Sequence, residues 1–243
     1  VDLGSGSDTL TLGNFANRAT VAGVETLVSG SGADTITLES QFTAHSIDLG
    51  NGLDVLTLGN FVNAGSITNV ETIIGGAMAD TISVTSQLSK GSVDLGDGAD
   101  KLTLGNFLNS GTIANVETLI GGTDNDTITL ATALGSTDSV DLGAGNDKLT
   151  LGNFGNYGSI ANVEVISGGT EADTLTITTQ LSNASIDLGA GADSLTFGNF
   201  ANTASLANVE SVLGGSAADT ITLTTAASSV VFDLGAGTDS LTF

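Results

Sequence analysis

Residues 94–107 read DLGDGADKLTLGNF, three aspartates around two glycines that run straight into an alternating apolar stretch. The phrase recurs. It opens as DLGSGSD at Asp2, DLGNGLD at Asp48, DLGAGND at Asp141 and DLGAGAD at Asp187, and a sixth copy, DLGAGTD at Asp233, runs to the last residue. The leading aspartates are spaced 46, 46, 47, 46 and 46 residues apart. Repeats 1–46, 47–92, 93–139, 140–185 and 186–231, with a partial 232–243, fill the chain as one continuous array. A period of this size marks a repeat architecture in which each unit buries its apolar face only against its neighbours.

Every repeat holds a second, weaker version of the phrase: SGSGAD (29–34), GGAMAD (75–80), GGTDND (121–126), GGTEAD (168–173) and GGSAAD (214–219). After the final Asp of either phrase, apolar residues fall at +2 and +4, as at Leu56 and Leu58 or Ile128 and Leu130. That is the two-residue period of a strand with one buried face. The half-repeats also agree in an apolar residue further on, Ile67 after Asp54 and Ile47 after Asp34. The expected fold is therefore all-β, a parallel β-solenoid or β-roll of five 46-residue repeats. Each repeat is expected to make two coils of about 23 residues, alternately 26 and 20, with a single 46-residue turn as the alternative. Stacking in that register predicts an internal column of Phe15, Phe61, Phe107, Phe154 and Phe200. It also predicts amide ladders of Asn14, Asn60, Asn106, Asn153 and Asn199 and of Asn17, Asn63, Asn109, Asn156 and Asn202.

Composition narrows the chemistry. The 243 residues carry 27 Asp+Glu against 4 Lys+Arg, a formal net charge of −23. Nucleic acid and anionic lipid need Lys and Arg to neutralise phosphate, so both are excluded as partners and cations are favoured. A 40% hydrophobic content sets the chain apart from an acidic disordered tail. With no Cys there are no disulfides, Cys-zinc sites or thiol chemistry. No apolar run reaches the roughly 18 residues of a membrane-spanning helix. The chain starts at Val1 inside a motif, which reads as a piece of something longer.

The acids keep to four phases. Asp8, Asp54, Asp100, Asp147, Asp193 and Asp239 end the first phrase, and Asp34, Asp80, Asp126, Asp173 and Asp219 end the second. Asp2, Asp48, Asp94, Asp141, Asp187 and Asp233 begin the first phrase, and Glu25, Glu71, Glu117, Glu164 and Glu210 follow a Val. In a solenoid a fixed phase is a column, with neighbours roughly 5 Å apart that repel by about 1 kcal/mol even in a water-like dielectric. Arg18, Lys90, Lys101 and Lys148 are too few to relieve this. A divalent cation between rungs would, and aspartate oxygens with glycine-exposed carbonyls suit calcium. Ions in ten gaps between eleven loops would bring about +20 against the −23.

These loops resemble the repeats-in-toxin (RTX) family, whose nonapeptide G-G-x-G-x-D-x-U-x winds a calcium-bound parallel β-roll. In VDLGSGSD, Gly4, Gly6 and Asp8 match and Leu3 replaces the first glycine. The second phrase usually keeps both leading glycines, as at Gly121 and Gly122, but puts Met78, Asp124, Glu171 or Ala217 at the third, only Gly32 remaining. Side chains there are expected to strain a positive-φ position and weaken those loops. The resemblance implies multiple calcium ions held by Asp8, Asp34, Asp54, Asp80, Asp100, Asp126, Asp147, Asp173, Asp193, Asp219 and Asp239. Loop carbonyls are implied to contribute around Gly4, Gly6, Gly50, Gly52, Gly96, Gly98, Gly143, Gly145, Gly189, Gly191, Gly235 and Gly237. The DLG aspartates and the Val-Glu glutamates have no counterpart in that motif. They are left open between completing ligand shells, capping turns and facing solvent.

No general base recurs beside the abundant Ser and Thr, and the one histidine, His45, lies among variable residues and reads as an exposed turn residue. An active site breaks a periodic lattice once, so no enzyme is expected. The expected function is a calcium-stabilised structural segment of a secreted bacterial surface protein: an S-layer protein, adhesin stalk or extracellular filament. Self-association end to end or into a lattice is expected with it. The alternatives are the calcium-binding tail of a type I-secreted enzyme and, from the outward Thr pairs such as Thr127 and Thr129, an ice-binding solenoid.

Overall fold

A computed structural model describes residues 1–226 and 230–243. The described residues contain strands, turns and bends and no helix. The first repeat shows the plan. Its strands are β1 (Thr9–Thr11), β2 (Arg18–Val21), β3 (Thr26–Val28), β4 (Thr35–Leu38) and β5 (Thr43–Asp48). β1, β3 and β5 pair in parallel in one sheet, while β2 and β4 pair in parallel in the other. The chain thus winds as a parallel β-solenoid with two sheet faces, each rung about 4.8 Å from the next. The chain divides into two compact units, 1–122 and 123–243. Each has this architecture, alternate strands joining alternate sheets from Thr9–Thr11 to Thr118–Ile120 in the first and from Thr127–Leu130 to Ser240–Thr242 in the second.

The coil is shorter than the spacing of the phrases predicts. Leu10 pairs with Leu27, 17 residues on, and Leu27 with Ile47, 20 residues on. Five such turns carry the chain from Asp8 to Asp100, so a turn takes about 18 residues and a 46-residue repeat makes two and a half turns. The expected 23-residue coil fails because the 26-residue segment after Asp8 holds three strands and the 20-residue segment after Asp34 holds two, so the two phrases do not mark successive full turns. The half turn has a large consequence. Successive copies of one motif land on opposite sheets, Thr9–Thr11 on one, Val55–Thr57 on the other, Lys101–Leu104 on the first again.

Single-motif columns are therefore ruled out. Phe61, Phe107, Phe154 and Phe200 are 40–43% exposed and Phe15 is 75% exposed, the reverse of an internal column. Each ring lies back over the glycine two residues earlier, as Phe107 does over Gly105. The Asn14 and Asn17 series form no ladders of their own, since equivalent copies on one side are five turns apart. Asn63, Asn156 and Asn202 are instead buried singly, each donating its side-chain amide to the carbonyls of the Gly and Phe that precede it.

The core is aliphatic. Ile36, Leu56 and Ile73 face inward from one sheet and Leu27, Ile47, Ile67, Ile82 and Leu102 from the other. The leucine of DLG joins them: Leu49, Leu95, Leu142 and Leu188 are fully buried. That accounts for Leu where the RTX motif has Gly, because a methylene-rich side chain there adds roughly 1.5–3 kcal/mol of burial. Leu95→Ala is expected to destabilise the fold by about 2–5 kcal/mol, as cavity-forming core truncations do. Phe107→Ala should lie within about 1 kcal/mol of the parent. Denaturant midpoints of the two variants check this, and an equal loss would restore the aromatic column.

Candidate cation site

The loops that carry the acids are built by glycine and aspartate. In DLG, the Asp94 Oδ1 accepts the Gly96 amide at 3.2 Å, an Asx turn, and the Asn115 Nδ2 at 2.7 Å. Asp48, Asp141 and Asp187 do the same with Gly50 and Asn69, Gly143 and Asn162, and Gly189 and Asn208. These aspartates cap turns, and their asparagine partners hold left-handed φ near 51–52°. Gly96 has φ +86°, and a Cβ there would overlap the Gly76 carbonyl oxygen, so glycine is obligatory. The strain expected at the third position of the second phrase is absent. Met78, Asp124, Glu171 and Ala217 all have negative φ.

The phrase-ending aspartates stand at the head of strands, and the winding brings three of the four acid phases, with an asparagine, into one mixed stack. Asn63 donates its backbone amide to Asp80 Oδ1 at 2.8 Å, Asp80 its amide to Asp100 Oδ1 at 2.6 Å, and Asp100 its amide to Glu117 Oε2 at 2.6 Å. The order Asn, Asp, Asp, Glu recurs as Asn17–Asp34–Asp54–Glu71 and Asn156–Asp173–Asp193–Glu210. Parts of it recur as Asp126–Asp147–Glu164, Asn202–Asp219–Asp239 and Asp8–Glu25. Each carboxylate so accepts the amide of the rung before it, a charge-assisted bond of about 1.5–3 kcal/mol. The signal for this was in the sequence as invariant spacings, but assigning Asn63 and Glu117 to one line with the aspartates needs the 17–20-residue turn.

Only one oxygen of each aspartate is used in this way. The Oδ2 atoms of Asp8, Asp54, Asp80, Asp100, Asp147, Asp173, Asp193 and Asp219 are buried without a hydrogen-bond partner. Asp34 differs, its Oδ2 accepting the Ser29 hydroxyl. Desolvation pushes the carboxyls of Asp100, Asp147 and Asp193 up to about 6. The amide bonds pull the other way, and neighbouring acids such as Asp80 and Glu117 beside Asp100 add to the rise. Asp54, Asp80 and Asp173 are raised by the same burial.

Calcium needs six to eight oxygens. Among the described residues, glycine-rich loops lie on one another in five places: Asp34 with Asp54 and Asp80 with Asp100 in the first unit, Asp126 with Asp147, Asp173 with Asp193 and Asp219 with Asp239 in the second. The expected ten gaps thus become five, and the charge an ion per gap would bring falls from about +20 to about +10. The loop next to Asp8 is the Gly23 turn, where a Cβ would run into Gly4. The donor set is hard oxygen throughout. At Gly52 the position of a Cβ is lined by Asp54 Oδ1 and the Gly32 carbonyl, both at 2.6 Å, and at Gly191 by Asp193 Oδ1 and the Glu171 carbonyl, both at 2.7 Å. Other carbonyls are engaged: those of Gly30, Gly76, Gly169 and Gly215 accept amides from the next loop. Among the described residues no three His, Cys, Asp or Glu side chains gather into one metal-ligating group. The residues fit calcium in donor type, with one uncommitted carboxylate oxygen on most paired rungs and carbonyls or water left to complete the shell.

No protein-family model matches the chain, and searches of curated proteins and of solved structures find none similar to it. Fold and site define it as a β-solenoid repeat protein with buried, stacked carboxylates.

The raised carboxyls set a pH dependence. Folded Asp100, Asp147 and Asp193 hold protons more tightly than in the unfolded chain, so they favour folding most below pH 4 and lose that contribution as pH rises through about 6. In chelator, β-structure is expected to increase on going from pH 7.5 to pH ~5, as protons neutralise these carboxyls, opposite to ordinary acid denaturation. Circular dichroism that loses β-structure over that interval would contradict the buried, unpaired state of these groups.

Proposed function

We propose that the chain is a structural repeat segment of a secreted bacterial surface protein, an S-layer protein, adhesin stalk or extracellular filament, in which calcium at the paired loops couples folding to the external medium. The observation that carries the reading is the row of buried, partnerless carboxylate oxygens on adjacent glycine-rich loops, such as Asp80 with Asp100 and Asp173 with Asp193. Leaving such oxygens ionised and unpaired is unfavourable by several kcal/mol each. Calcium, when bound, supplies positive charge beside both members of a pair. The resemblance of the loops to RTX repeats supports the same ion, and the net charge of −23 supports a medium rich in divalent cations.

Folding is then linked to binding. Circular dichroism during a calcium titration is expected to gain β-structure, to lose it in chelator and to respond far less to magnesium at equal ionic strength. Calorimetry should count about five ions per chain, and Asp100→Asn should remove about one. β-Structure indifferent to chelator would defeat the calcium part and leave a solenoid held by its amide–carboxylate stack alone.

One observation favours a second reading. Thr9, Thr26, Ser46, Ser66, Ser83 and Thr103 pair in register on one outward face, a hydroxyl on each of six consecutive rungs. A flat hydroxyl column of regular spacing suits ice binding. Inhibition of ice recrystallisation by the folded chain at micromolar concentration is the expected result on that reading, and ordinary crystal growth removes it.

A further inference from the structure

In the first unit the periodicity breaks in a chemically useful way. In the rung after Glu71 the residue at the head of the paired strand is Gly91, and after Glu164 it is Ala184; after Glu25 it is His45. In each case the next residue, Ser92, Ser185 or Ser46, donates its amide to the glutamate carbonyl, which fixes the equivalence. His45, expected to be an exposed turn residue, therefore stands in β5 in line with the acid stack, its side chain 19% exposed. A β-bulge places it there. The pairing of β5 with Ala64–Thr68 shifts between Thr43 and His45, and Ala44 takes φ 55°. Lys90 and Asn183 share that conformation, so the bulge is part of the scaffold and only this copy mounts an imidazole on it.

Glu25 is held ready. Its Oε2 accepts the Asp8 amide at 2.7 Å, which leaves Oε1 facing His45 Nε2 at 3.9 Å. That separation is too long for a hydrogen bond. It is close to the ~3.4 Å between two donors on a tetrahedral zinc ion with bonds near 2.05 Å, a gap that a small side-chain rotation closes. The ring is steadied edge-on by Phe42, with centroids 5.8 Å apart. Its Nδ1 is buried without a partner, so Nε2 is the nitrogen an ion can reach. Both side chains border an open depression lined also by Ser7, Thr26, Thr43 and Ser46, with room for water to complete a coordination shell.

We propose that Glu25 and His45 form a site for a single divalent ion of the zinc class, distinct in position and in ligand type from the glycine-rich loops. Imidazole selects borderline metals such as zinc, nickel or copper over calcium. The site does not depend on the calcium reading.

The test is zinc titration of the untagged chain in excess calcium, which keeps the loops saturated. Calorimetry should register one zinc ion per chain, and His45→Gln should weaken it at least ~10-fold while circular dichroism stays that of the parent; Glu25→Gln, whose amide oxygen can still accept the Asp8 amide, should weaken it as much per folded chain. Because His45 is the only histidine, its ring protons give a unique NMR signal. That signal should shift with the first equivalent of zinc. An unmoved signal, equal zinc affinity in His45→Gln, or displacement of the zinc by calcium would each overturn the proposal.

Discussion

A carboxylate oxygen accepting the backbone amide of the preceding rung is the contact on which the rest of this molecule depends. A parallel solenoid must satisfy its amides where strands begin, because the ladder has not yet started and water is excluded. Here an acid side chain on the next turn does it, at 2.6–2.8 Å from Asp80 to Asp100 and from Asp100 to Glu117. The arrangement explains why Asp, Asp and Glu recur at fixed phases: each must be long enough to reach back one rung and ionic enough to bind strongly. Glutamate ends the stack on a rung that is entered without a glycine-rich loop.

The same contact creates the electrostatic problem that defines the site. One oxygen is satisfied and the other is sealed in. Two agents can relieve it, a proton or a cation, and they compete for the same atoms. Burial raises Asp100, Asp147 and Asp193 to about 6, so in acid the stack neutralises itself. In a neutral, cation-rich medium a divalent ion is the stronger agent. The stack links stability to the acidity and cation content of the medium in either case.

The half-turn phase of the repeat governs where these stacks lie. A 46-residue repeat making two and a half turns sends each motif alternately to opposite sheets, so the acids form short mixed runs such as Asp80–Asp100–Glu117 rather than single-motif columns. Repulsion is thereby confined to short runs, and rungs such as those of Gly91 and Ala184 separate them with neutral residues. His45 occupies one of these separating rungs, which is why a substitution there changes chemistry without disturbing the winding.

Sequence alone determined the class of fold, the strands that follow the phrase-ending aspartates and the phases of the acids. Each of those follows from local alternation and from a period that survives any winding. Leu56 and Leu58 had to face inward whichever sheet held them, and Gly96 had to begin a turn. What the tertiary structure decided was neighbourhood: that Asp80 meets Asp100 and Glu117, that the phenylalanines lie outside, and that His45 faces Glu25. Contacts between rungs depend on turn length modulo the repeat. A difference of five residues per turn, too small to alter any local pattern, changes every partner across the stack.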